Sequence, residues 1–140
     1  MHAPDAREHI ALRYHGWGFS PIPLDPGSKR PNVTLLPGRA WGPFQTNPAT
    51  RELVKAWAGV IPEPNWGLIC GQISGGLYCG DCDDLSYARW VLDHARDPIM
   101  RGACIVRSGS GKAHIWFISH TRIESHVWKP RQGSKVGDVR

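Results

Sequence analysis

Two aspartates, Asp81 and Asp83 in the stretch Gly76-Leu77-Tyr78-Cys79-Gly80-Asp81-Cys82-Asp83-Asp84, carry the first chemical signal in the chain. Leu77 to Cys82 reads as a short apolar strand behind the turn-prone Gly75 and Gly76. On a strand, residues two apart share a face. The two carboxylates therefore repel each other unless something positive lies between them. Hard divalent ions such as magnesium are held by one or two carboxylates together with substrate phosphates. The competing explanation is local: a D-x-D after a strand often only starts a helix, with Asp83 or Asp84 as its cap. The residues alone leave both open.

A second group follows at Ser108-Gly109-Ser110-Gly111-Lys112-Ala113-His114. It is not a P-loop. The upstream glycine position is Val106, Ala113 stands where Ser or Thr is needed, and the next segment is strand-like. It offers unshielded backbone N–H groups, a lysine and a histidine. Those suit phosphate oxygens, while a lone histidine is also a common structural residue. Lys29-Arg30-Pro31 reads either as a solvated basic loop or as two cations over a phosphate.

These groups need elements to position them. A capping box at Asp5 and Glu8 predicts an amphipathic helix over 6–15, ended by Gly16 and Gly18. Phe19–Leu24, with Pro21 and Pro23, predicts an edge strand. Asn47-Pro48 predicts a second helix start, with Leu53, Val54 and Trp57 on its buried side. Trp66–Cys70 is a strand expected to pair as a hairpin with Leu77–Cys82. A helix runs from Asp84 to about Ala95, closed by Asp97-Pro98. Cys104–Arg107 and His114–Ile118 are strands, and alternation puts His114, Trp116 and Ile118 on one face. Residues 121–135 read as a polar, basic tail, and Val136–Arg140 as the beginning of another strand. Helices and strands in this order, with hairpins, give an α+β fold.

At 140 residues the chain suits one domain. No apolar run is long enough to cross a bilayer and the N-terminus lacks an apolar leader, so no membrane role and a cytoplasmic location are expected. Seventeen Lys+Arg against 12 Asp+Glu, a formal +5, suit a phosphate-rich partner without specifying one. Cys79-x-x-Cys82 is half of a zinc knuckle with no second half. The four cysteines are therefore expected to be buried thiols in a reducing compartment. Most of the seven tryptophans are expected in the core or in pocket walls.

The order of these parts resembles the bifunctional primase-polymerase (prim-pol) domain of the archaeo-eukaryotic primase superfamily. The run is a strand ending in D-x-D, a helix, Arg107-Ser108-Gly109-Ser110-Gly111 leading to His114-Ile115-Trp116-Phe117, then Gly137-Asp138-Val139-Arg140. Upstream, Pro21-Ile22-Pro23-Leu24, Lys29-Arg30-Pro31, Trp41, Thr46, Trp57, Asn65-Trp66-Gly67-Leu68 and Gly71 fit as well, so the resemblance spans nearly the whole chain. It implies the primase-polymerase fold with an RRM-like catalytic sheet. It also implies a template-directed nucleotidyltransferase (primase and DNA polymerase) of phage, plasmid or mobile-element replication. By the same resemblance Asp81, Asp83 and Asp138 hold Mg2+ or Mn2+, and His114 contacts nucleotide phosphate. Lys29, Arg107, Ser110 and Lys112 support the nucleotide. Single-stranded DNA template and nucleoside triphosphates are the implied partners, with a helicase domain or protein a further one. Lys112 departs from the small residue usual beside that histidine. Because such domains continue with more strands past the third acidic motif, the single domain over 1–140 is expected to be incomplete at its C-terminal end.

Three other readings carry distinct expectations. A non-catalytic DNA-binding or replication-accessory module would bind template without incorporating nucleotides. A D-x-D phosphatase would open a parallel α/β domain and carry Thr or Val where Leu85 stands. A D-x-D sugar-nucleotide transferase requires neither His114 nor Asp138.

Overall fold

A computed structural model describes residues 9–60, 65–128 and 137–139, with backbone alone described at 99, 126–128 and 137–139. The chain is mixed α+β, with three helices and two sheets. Its contacts divide it into two compact units, residues 1–69 with 73–75, and residues 70–72 with 76–140.

The first unit holds α1 (Ile10–Gly16), β1 (Ser20–Leu24), α2 (Arg51–Val60) and β2 (Asn65–Ile69). His9 is the N-cap of α1, its ring accepting from the Ala11 N–H at 3.2 Å; the expected cap at Asp5 and Glu8 lies outside the described residues. Helix α2 begins three residues later than the Asn47-Pro48 signal. Thr50 caps it, accepting the Leu53 N–H at 3.2 Å on its hydroxyl. Residues 47–49 are committed elsewhere: the Asn47 N–H donates to Pro43 at 3.1 Å, and the Ala49 carbonyl lies 3.0 Å from His15 Nε2. Ile22, Leu36, Phe44, Val54 and Trp57 form this unit's core. The Trp57 indole N–H donates to the Leu35 carbonyl at 3.0 Å.

Strand β2 does not form the expected hairpin with the Asp81 strand; it pairs antiparallel with β1, Ile22 opposite Gly67. Proline chemistry explains the choice. Pro21 and Pro23 lack N–H groups and share one edge of β1. Their edge faces away from β2, and the Pro23 carbonyl accepts from Asn32 at 2.9 Å. The other edge, carrying Ser20, Ile22 and Leu24, keeps all its donors and takes β2. At its end the Ser20 N–H donates to Ser74 Oγ at 2.8 Å, and the Ser74 hydroxyl donates to the Ile69 carbonyl.

The second unit is a five-stranded sheet with one helix. Its strands are β3 (Leu77–Cys82), β4 (Cys104–Arg107), β5 (Ala113–Ile118), β6 (His126–Trp128) and β7 (Gly137–Val139), in the order β4-β5-β3-β7-β6. Every neighbouring pair is antiparallel. Strand β6 falls in the segment read as a polar tail; its three residues pair with β7, the next strand in the chain. Helix α3 (Leu85–Asp93) is capped by Asp84, whose carboxylate accepts the Tyr87 N–H at 2.8 Å. Ala88 and Val91 of α3 pack on Cys82 and Ala113, burying one sheet face. Cys79 and Cys82 are buried, but Cys104 is exposed and Cys70 half-buried, because β4 is an edge strand and Cys70 lies just past the end of β2; none of the four forms a disulfide. Among the described tryptophans only Trp57 is buried, while Trp17, Trp41 and Trp90 are exposed. Trp90 lies outside the narrow Ala88/Val91 stripe that α3 buries. No helix among the described residues is long and apolar enough to cross a membrane.

Gly76 ties the entry of β3 to the exit of β5. Its carbonyl accepts the Ser119 N–H at 2.8 Å, its φ is +84°, and a Cβ there would run into the Ser119 carbonyl oxygen. Gly75, at φ +65°, has open space where its Cβ would be. Gly76→Ala should therefore destabilise by about 2–4 kcal/mol, against about 1 kcal/mol for Gly75→Ala. Urea unfolding of the two variants measures the difference, and equal losses would remove the steric account.

Candidate active site

Strand β3 is the middle of the sheet, paired with β5 on one side and β7 on the other. Along it the side chains alternate between faces. Cys82 lies on the α3 side with no exposed surface, packed with Ala88 and Val91, which puts Asp81 on the open side. The register then sets a row of partners across three strands. Asp81 is opposite His114 on β5 and opposite Asp138 on β7.

His114 Nε2 lies 3.6 Å from Asp81 Oδ1. One step further along the face, Lys112 Nζ lies 3.8 Å from Asp83 Oδ1. Neither contact is a tight hydrogen bond. The Asp81 side chain is 14% exposed and that of Asp83 31%, so the pair steps from the sheet toward solvent. The turn that presents Lys112 is closed by its own backbone. The Ser108 N–H donates to the Lys112 carbonyl at 2.8 Å, the Lys112 N–H donates to Ser108 Oγ at 3.1 Å, and Gly111 supplies φ +79°.

The carboxylates leave an electrostatic trace on the far side of the strand. Burial first, then the negative charges of Asp81 and Asp83, push the Cys82 thiol from the ordinary 9.0 up to about 11. The two carboxylates fit a hard cation, since magnesium commonly uses one or two carboxylates and completes its shell with water and phosphate. Among the described residues no three His, Cys, Asp or Glu side chains come close enough to enclose an ion by themselves. For Asp138 the described backbone gives its register position only.

The cross-sheet row itself does not include Arg107, Ser110 or Lys29. Arg107 pairs with Ala113, one residue out of phase with His114, and so belongs to the α3 side of the sheet. Ser110 is exposed at the tip of the Ser108–Lys112 turn, its hydroxyl 3.1 Å from that of Ser108. Lys29 is exposed in the first compact unit, in the loop after β1. Sequence reasoning missed β6, which flanks β7 and supports the Asp138 position. Its β-prone core, Val127-Trp128, was the available signal.

The raised Cys82 pKa has a signed consequence. Below about pH 9 the thiol is protonated in both folded and unfolded chains, and its contribution to stability is fully present. Between about 9 and 11 the unfolded thiol ionises while the folded one resists, so that contribution drains away. The stability difference between the wild type and Cys82→Ala should shrink across that window by on the order of 2 kcal/mol. A difference that stays constant from pH 8 to 11, measured by denaturant unfolding, would contradict the burial and charge assigned to this thiol.

No curated protein matches the chain. A profile of the Prim-Pol family, described as bifunctional DNA primase/polymerase, N-terminal, matches residues 11–139. That span takes in both compact units and the whole row from His114 through Asp81 to Asp138. The family is one of metal-dependent, primase/polymerase-type nucleotidyltransferases of DNA replication, and this chain belongs to it.

Proposed function

We propose that the chain joins nucleoside triphosphates into a strand on a single-stranded DNA template, as a primase, a polymerase or both, in phage, plasmid or mobile-element replication. One observation carries the reading: three strands hold an imidazole and two aspartate positions in a single cross-sheet row, with Asp83 and Lys112 beside it.

Asp81, Asp83 and Asp138 would hold the metal, Mg2+ or Mn2+. When bound, the ions lower the pKa of an attacking 3′-hydroxyl and neutralise charge on the triphosphate and departing pyrophosphate. The protein's own part is positioning. His114, braced against Asp81 by the β3–β5 register, offers a ring nitrogen to a phosphate oxygen. Lys112, carried on the short turn, offers a mobile ammonium beside Asp83, and an incoming phosphate competes for it. Ser110 at the turn tip and Lys29 in the first unit are proposed as further phosphate donors. Arg107 is left out, because its register puts it on the α3 side.

Incorporation of labelled nucleotides on a primed single-stranded template, with Mg2+ or Mn2+ supplied, tests this. Asp81→Asn and Asp83→Asn should each reduce incorporation by about 100-fold or more, with the circular dichroism of the folded chain retained. A folded Asp81→Asn protein that extends primers at the wild-type rate would contradict the assignment. Template binding without incorporation by the wild type would replace it with an accessory role. Release of phosphate from small phosphoesters would replace it with a phosphatase.

A further inference from the structure

The face of β5 that carries His114 continues past it with a different chemistry. By alternation Lys112, His114, Trp116 and Ile118 follow one another on that face, at steps of about 6.7 Å. Lys112 is fixed to the same side by its contact with Asp83. The order is therefore cation, imidazole, indole, aliphatic. Trp116 sits in register between Cys79 on β3 and Cys104 on β4, both short, so neither neighbouring strand caps its ring with a long side chain. The ring is half-buried and stands edge-on to His114, with centroids 6.2 Å apart and planes at 73°. Val106, in register with His114, and Ile118 border it and are 41% and 48% exposed. An apolar floor with an aromatic centre thus adjoins a polar end built for phosphate.

We infer that Trp116 is the contact for the base of the nucleoside triphosphate, with Val106 and Ile118 extending the surface under it. The inference rests on the nucleotide-joining reading and adds to it the place where the ring of the substrate lies. A ligand charged at one end and flat at the other matches this face. A nucleic-acid strand does not: its phosphates recur at every residue and need cations along the whole track, whereas here Lys112 stands at one end of the row and apolar side chains occupy the other. Val106, Trp116 and Ile118 hold no amide or carboxylate that could read a base edge. Stacking on an indole is sequence-tolerant, so all four bases should be accepted alike.

Equilibrium binding to the full chain, without template and with Mg2+ present, separates the ring from the phosphates. The probes are a non-hydrolysable nucleoside triphosphate and inorganic tripolyphosphate. Trp116→Ala should weaken the nucleoside triphosphate about tenfold, leave tripolyphosphate unchanged, and do so equally for the four bases. Trp116→Phe should bind both ligands nearly as the wild type does. If Trp116→Ala fails to fold, Trp116→Leu against Trp116→Phe gives the same contrast. Unchanged binding of the nucleoside triphosphate, or equal loss of both ligands, would overturn the contact. A loss confined to single-stranded DNA would overturn it in favour of a template platform. A chain that distinguishes the two ligands through Trp116 yet incorporates nothing would keep this contact and remove the nucleotide-joining reading.

Discussion

The register of β3 against β5 and β7 is the constraint from which the site follows. A slip of one residue turns every side chain of a strand to the other face. It would bury Asp81 against α3 and put the Cys82 thiol where the carboxylate belongs. Several features hold the register in place. Cys82 and Ala113 fit the close approach of Ala88 and Val91, which larger residues would prevent. Tyr78 stacks on Phe117 at 6.0 Å and accepts the Ile123 N–H on its hydroxyl at 3.0 Å, clamping the middle of the β3–β5 ladder. Gly76 and Ser119 close its end.

With that register fixed, electrostatics give the site its character. Two carboxylates on one strand edge are unfavourable by themselves. Lys112 stands at about contact distance from Asp83, and His114 from Asp81. The Cys82 thiol on the opposite face is pushed up by burial first and then by those same carboxylates. Under the proposed function, these carboxylates beside a lysine and an imidazole would take a divalent cation and its phosphate ligand together.

Much of this was legible in the chain because the signals are local. Strand β3 is a continuous apolar run bounded by glycines, and Asp84 is a helix cap three residues before the N–H it accepts. Alternation alone put His114, Trp116 and Ile118 on one face of β5. What failed depends on distant partners. The β1–β2 pairing is decided by which edge of β1 keeps its N–H groups, so the adjacency of two apolar runs pointed to the wrong hairpin. The start of α2 moved to Thr50 because Ala49 is tied to His15, thirty-four residues earlier. Strand β6 was missed because three residues are too few to show a periodicity, although Val127-Trp128 is β-prone. The D-x-D and the glycine-turn histidine stood out by spacing; the pairing of Asp81 with Asp138 needed the sheet.

The shared ion-binding position of Asp81 and Asp138, drawn from opposite sides of a long stretch of chain, is the central claim. Manganese titration followed by electron paramagnetic resonance, with a non-hydrolysable nucleoside triphosphate present, reads that position without any need for turnover. The account predicts that Asp138→Asn weakens manganese binding as severely as Asp81→Asn does. An Asp138→Asn protein that is folded and binds manganese like the wild type would contradict it.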